Sequence, residues 1–265
     1  MHRWSRALLL VCLSALSSSA KAAPPSELPA ELCALALTNR PVDQLQARAS
    51  CTVTQTKLFP KGSALRRAVL VQVPLVRGTR ELLMFEVSEK HGKRAWQDLG
   101  EVAGDDRYTS PGTTLGFRNR VTLERFELRR TGAGPVLEVV MSRVRETDDA
   151  DGVIEARVQD VMYCRHAGEL VCVQVVARST VQVRGKVPDF EPHSWTREVT
   201  LDAAGDIVVS AHNGTGELAK FDVGPGVHTF ASLANRVFVR RYPVVSTAHP
   251  DAVTDPIPDL LPAGP

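Results

Sequence analysis

The clearest pattern in the chain is a two-residue alternation of apolar and polar side chains that sets in near Cys51 and persists almost to the end. Ala68 to Val76 and Arg80 to Val87 carry it, and Arg77-Gly78-Thr79 between them has turn chemistry, which predicts a hairpin. His91-Gly92-Lys93 predicts the next turn, leading to Trp96, Leu99 and Val102, and Asp105 to Thr113 reads as a loop. From Arg120 to Arg130 the alternation slips by one position. Val121 and Leu123 share a face, Phe126 and Leu128 are displaced from it, and the slip predicts a β-bulge near Glu124-Arg125.

Two long strands, Val136 to Thr147 and Val153 to Cys164, are expected on either side of Asp148-Asp149-Ala150-Asp151-Gly152. In the second, Ile154, Ala156, Val158 and Met162 form an apolar face, while Glu155, Arg157 and Gln159 form a wet one, as in an antiparallel sheet. Arg165 to Glu169 turns the chain into Leu170 to Val183. Shorter strands are expected at Arg197–Leu201, Asp206–Ala211, Leu218–Val223, Val227–Ser232 and Arg236–Val245. The fold class is therefore mainly β, an antiparallel sandwich or barrel. A small propeller would show a repeat every 40–50 residues or so, and the hairpins share no such signature.

The ends of the chain follow other rules. Arg3 and Arg6, an apolar run from Ala7 to Leu16 and the small-residue site Ala20-Lys21-Ala22 form an export signal over residues 1–22. The run is too short to cross a bilayer of about 30 Å as a helix. Val11 before Cys12 does not fit a lipid-attachment site. In residues 23–50, Leu28, Leu32 and Leu35 recur at helical spacing, and Pro41 opens a second helical stretch with Val42, Leu45 and Ala49, so a helical cap on a sheet edge is expected. The β domain then spans 51–247. Residues 248–265, rich in proline and without periodicity, read as a disordered or surface-draped tail.

Composition changes this picture in two ways. The formal charge of +2 falls to −1 once Arg3, Arg6 and Lys21 leave with the signal, so nothing electrostatic calls for nucleic acid or anionic lipid. Four cysteines then remain, Cys33, Cys51, Cys164 and Cys172, and an even count in an exported chain favours disulfides over zinc. Three pairings are open. The local one, Cys33–Cys51 with Cys164–Cys172, is expected because each pair brackets a short segment, and each bridge would stabilise by about 2.5–3 kcal/mol in the chain-entropy model. A periplasmic or extracellular location follows, in a chain whose composition resembles that of GC-rich bacteria.

Candidate chemistry is sparse. Thr147 to Val158 places Asp149, Asp151 and Gly152 as in a calcium loop, but lacks the terminal carboxylate and helical flanks, so a turn is the better reading. There is no nucleophile elbow and no H-E-x-x-H. His91, His166, His193, His212, His228 and His249 are unpaired in sequence, and a metal centre would need His193, His212 and His228 to converge in space. Asp105-Asp106 and Asp148-Asp149 sit in expected loops. Trp96 and Trp195 read as core side chains. Arg118, Arg120, Arg125, Arg129 and Arg130, interleaved with Glu124 and Glu127, read as a solvated strand face with cross-strand pairs, as against a polyanion patch; a second basic group is Arg236, Arg240 and Arg241. Asn213-Gly214 reads as a turn. No cofactor and no metal are expected, and no catalytic residue is assigned. The expectation is a non-enzymatic binding or envelope module, with a secreted hydrolase assembled only in three dimensions as the alternative.

Overall fold

The computed structural model describes residues 51–75, 78–88, 94–109, 116–149, 152–185, 192–218 and 223–234. The expected export signal over 1–22, the expected helical cap of 23–50 and the expected tail of 248–265 lie outside the described residues, as do His91, His249 and the basic group at 236–241.

Nine antiparallel strands follow one another as a meander: β1 (Thr52–Leu58), β2 (Leu65–Leu75), β3 (Gly78–Ser88), β4 (Arg94–Thr109), β5 (Gly116–Thr131), β6 (Gly134–Asp149), β7 (Gly152–His166), β8 (Leu170–Gly185) and β9 (His193–Thr196). After β10 (Val199–Leu201) and β11 (Ile207–Val209), β12 (Asn213–Thr215) returns to pair with β9 and completes a ten-stranded sheet. A second, three-stranded sheet joins β10, β11 and β13 (Gly226–His228), followed by the short helix α1 (Phe230–Ala234).

β4 is the hinge of the arrangement. Residues 94–103 pair with β3, and residues 104–109 pair with β5 instead. Register shifts opposite Glu81/Leu82 and Leu83/Met84 mark bulges in the first part, and bulges bend and twist a strand. The sheet accordingly curls on itself, so that Lys57 on β1 lies 5.6 Å from the ring of Phe126 on β5. One core cluster fills the concave side: Ala68 and Leu70 of β2, Leu83 and Phe85 of β3, Val102 of β4, Phe126 of β5, Leu137 and Val139 of β6, with Met162 and Cys164 of β7. A second cluster lies on the other side of β6–β8, where Val136, Val140, Val161, Tyr163, Val173 and Val175 meet Ile207, Val209, Phe230 and Leu233. Strands buried on both faces lose their alternation, as the run Val136 to Met141 shows.

Several expectations need correction. Asp105-Asp106 is not loop: β4 runs through to Thr109, because pairing with β5 supplies the hydrogen bonds its own pattern did not announce. The connection between β6 and β7 is shorter than Asp148–Gly152, since Asp148 pairs with Val153 and Asp149 with Gly152. Val227–Ser232 is not one strand but β13 followed by α1, and Leu218 and Val223 lie outside any strand. Asn213-Gly214 is not a turn but part of β12. There Gly214 has φ +129°, and a Cβ on it would fall 2.1 Å from the Ser194 carbonyl oxygen, so only glycine lets the two backbones approach. The expected bulge is present: Leu123 opposes Met141 and Arg125 opposes Val140, leaving Glu124 as the extra residue.

Candidate functional site: a polar cleft beside the β5 bulge

A cleft of about 230 Å³ opens where the three-stranded sheet stops covering the outer face of β5–β8. Its floor is Val140, Val161, Ala177 and Val199, and its walls are Glu124, Arg125, Glu138, Gln159 and Arg197. The bulge builds one wall. An extra residue breaks the alternation, so the consecutive side chains Glu124 and Arg125 both face the cleft.

Each charged wall residue is held by others. The Glu124 carboxylate accepts hydrogen bonds from Ser142 Oγ and from Gln159 Nε2, the latter at 2.5 Å. Glu138 is only 6% exposed, deep in the apolar run of β6. Its two oxygens accept from Arg125 Nη1 at 3.1 Å and Arg129 Nε at 2.5 Å, and Arg129 also meets Glu127 at 3.1 Å. The buried carboxylate thus carries a guanidinium hydrogen bond on each oxygen, that from Arg129 being the shorter. That bond raises the Arg129 pKa above its ordinary value, with burial opposing. Tyr163 stands opposite Glu138 in register and donates to the Val199 carbonyl at 3.3 Å. Burial, reinforced by the Glu138 charge, pushes its phenol well above the usual tyrosine range. Arg197, 6% exposed, donates through Nε to Val176 O at 2.6 Å and through Nη1 to Val223 O, and lies 5.3 Å from the Trp195 ring.

Beyond the cleft the outer face is a ladder of opposite charges. Arg118 and Arg120 both reach Asp105 at 3.3 Å, and Arg157 and Arg184 flank Glu155. Arg118, Arg120, Arg125 and Arg129 of β5 thus pair with carboxylates of neighbouring strands, Asp105 of β4 and Glu138 of β6.

The other sequence candidates disperse. His212 Nε2 bonds Gly216 O at 3.2 Å and His228 Nε2 bonds Gly224 O at 2.8 Å, whereas His193 Nε2 meets Ser179 Oγ at 3.1 Å. The three do not converge, and among the described residues no group of three or more His, Cys, Asp or Glu could hold a metal. Ser179 and His193 are at the distance of a nucleophile and its base, but among the described residues no acid orients the imidazole. Trp195 is a core side chain, 3% exposed and edge-on to His212. Cys164 and Cys172 face each other in register and are joined by a disulfide, and Cys51 is disulfide-bonded as well. Within the concave core, Asp160 is fully buried and accepts from Arg143 Nε at 2.6 Å.

Glu138, Asp160 and Arg197 were not singled out from sequence. A lone glutamate inside Val136-Leu137-Glu138-Val139-Val140 was the available signal, because such a run predicts burial and a buried acid requires a partner. Arg197 had no such signal, since its partners are carbonyls of β8 and of Val223.

What these features define is a class, a disulfide-bearing antiparallel β-protein. Among the described residues no helix is long and apolar enough to cross a membrane. The chain matches no known protein family, no curated protein and no solved structure.

Proposed function

We propose that this protein is an exported, non-enzymatic binding module, that its ten-stranded sheet is an antiparallel sandwich folded at β4, and that the cleft beside Glu124 and Arg125 admits a charged side chain or small polar group of a larger partner. The observation that carries this reading is the pre-satisfied network of the walls. Glu138 is committed to Arg125 and Arg129, and Glu124 to Ser142 and Gln159. Such groups form a rigid polar template on paired strands, which favours recognition, while a general acid or base must be able to give up its partner. The volume fits as well. At about 230 Å³ the cleft is below the roughly 300–1,000 Å³ of small-molecule pockets, whereas one side chain of a partner would fill it. The disulfide between Cys164 and Cys172 accords with an oxidising compartment.

The test is calorimetric titration of the full chain against a panel of charged peptides and envelope glycans. A ligand whose affinity falls about tenfold or more in Glu124→Ala or Arg125→Ala supports the reading, since such a loss marks a contact that contributes to binding. No binding across the panel, or ligands indifferent to both substitutions, overturns it. The contact of Ser179 with His193 favours a second reading, a secreted hydrolase. Turnover of ester or peptide substrates that disappears in Ser179→Ala would establish it in place of the first.

A further inference from the structure

We infer that residues 24–50 roof the outer face of β2 and β3, and that the sulfur joined to Cys51 is that of Cys33. The face itself demands a cover. Val69, Val71 and Val73 of β2 and Leu82 and Met84 of β3 alternate with the core residues Ala68, Leu70, Leu83 and Phe85, so they point away from the concave core. None of the five exceeds 1% exposure, and they belong to neither core cluster described above. A sheet face becomes that dry only beneath another layer. Arg67 and Glu86, paired at 2.5 Å, form a polar rim at one end of it.

The covalent chemistry says which segment is near. Cys51 immediately precedes β1, and Thr52 pairs with Gln72 on β2, so its disulfide lies beside this face. Cys164 and Cys172 are joined to each other, which leaves Cys12 and Cys33 as partners for Cys51, both on its N-terminal side. Of these, Cys33 lies beyond the export signal, within the stretch whose Leu28, Leu32, Leu35, Val42, Leu45 and Ala49 supply apolar side chains at helical spacing. A helical stretch of a dozen residues is about 18 Å long, and the two strands to be covered are about 5 Å apart. The length suffices. The segment is therefore a layer of the fold pinned at its base, rather than an edge cap.

Two measurements on the full-length exported chain test this. Peptide mapping without reduction is expected to recover Cys33 joined to Cys51; Cys51 joined to any other cysteine overturns the assignment. Hydroxyl-radical footprinting is expected to find Met84 as protected as Met141 and Met162. In Leu32→Asp with Leu35→Asp, Met84 oxidation should rise several-fold while the other two stay protected. Met84 unmoved in that variant means that another segment, such as the C-terminal tail, forms the roof, and overturns the inference. If all three methionines oxidise together the variant has unfolded, and a benzophenone side chain at position 35 of the otherwise unaltered chain decides. Photoadducts within residues 65–88 support the roof; adducts elsewhere, or none, overturn it.

Discussion

The strands β6–β8 are each 15 or 16 residues long, and their two halves live under different rules. Toward the turns at Gly132-Ala133 and Ala167–Glu169, both faces are buried, with Val136, Leu137, Val139 and Cys164 all fully enclosed. Toward the opposite end the same strands continue in register, yet Arg157, Arg178 and Arg184 are exposed and the outer face carries ion pairs such as those of Glu155. Backbone pairing is common to both halves, so it does not distinguish them. The difference is the layer on top: β10, β11, β13 and α1 cover one half and not the other. One half holds the fold together, and the other keeps its charged side chains exposed. The cleft lies on the boundary, where an apolar floor meets charged walls.

Substitutions can break or sharpen that contrast. The largest effect is expected in the covered region: Phe230→Ala, in the cluster between α1 and β6–β8, should cost about 3–5 kcal/mol in urea unfolding. A cost comparable to that of an exposed site would refute the assignment of stability to that region. Asp160→Asn leaves the Arg143 guanidinium facing a neutral amide in the core and should cost about 3 kcal/mol by the same measurement. Replacing Cys164 and Cys172 together by serine should cost about 2–3 kcal/mol, with the sheet retained by circular dichroism. In the uncovered half, Asp105→Asn releases two half-exposed arginines and should change stability by less than about 1 kcal/mol, fading further in high salt.

The smallest effect concerns pH. Burial lowers the His166 pKa, with Glu169 partly opposing, so the unfolded chain binds the proton more readily than the folded one. The associated stability is complete above the unfolded histidine pKa of about 6.5 and is lost as pH falls toward the lower folded value. His166→Gln should flatten that slope between mildly acidic and neutral pH in denaturation midpoints. An unchanged slope would show that the side chain titrates as though free in solution.

Much of this was legible in the residues. Period-two alternation determined the long strands and which residues share a face, because successive side chains of a strand point to opposite sides. The slip between Leu123 and Phe126 located the bulge to within a residue, since an inserted position leaves a phase change in the pattern. The short elements after residue 196 were not legible. Strands of three residues carry too few positions to establish a period, and Asn213-Gly214 has the local chemistry of a turn but is held in β12 by its pairing with Ser194 to Thr196.

The amino-acid sequence by itself determined the strand-rich class, the hairpin order and the wet and dry faces of β7, all of which follow from local periodicity. Only the tertiary structure decided that β4 changes partners midway, that Glu138 lies between Arg125 and Arg129, and that Glu124 and Arg125 share a cleft with Arg197. Those facts depend on which distant segments meet, and a curled sheet brings together residues whose separation along the chain leaves no trace in a local pattern.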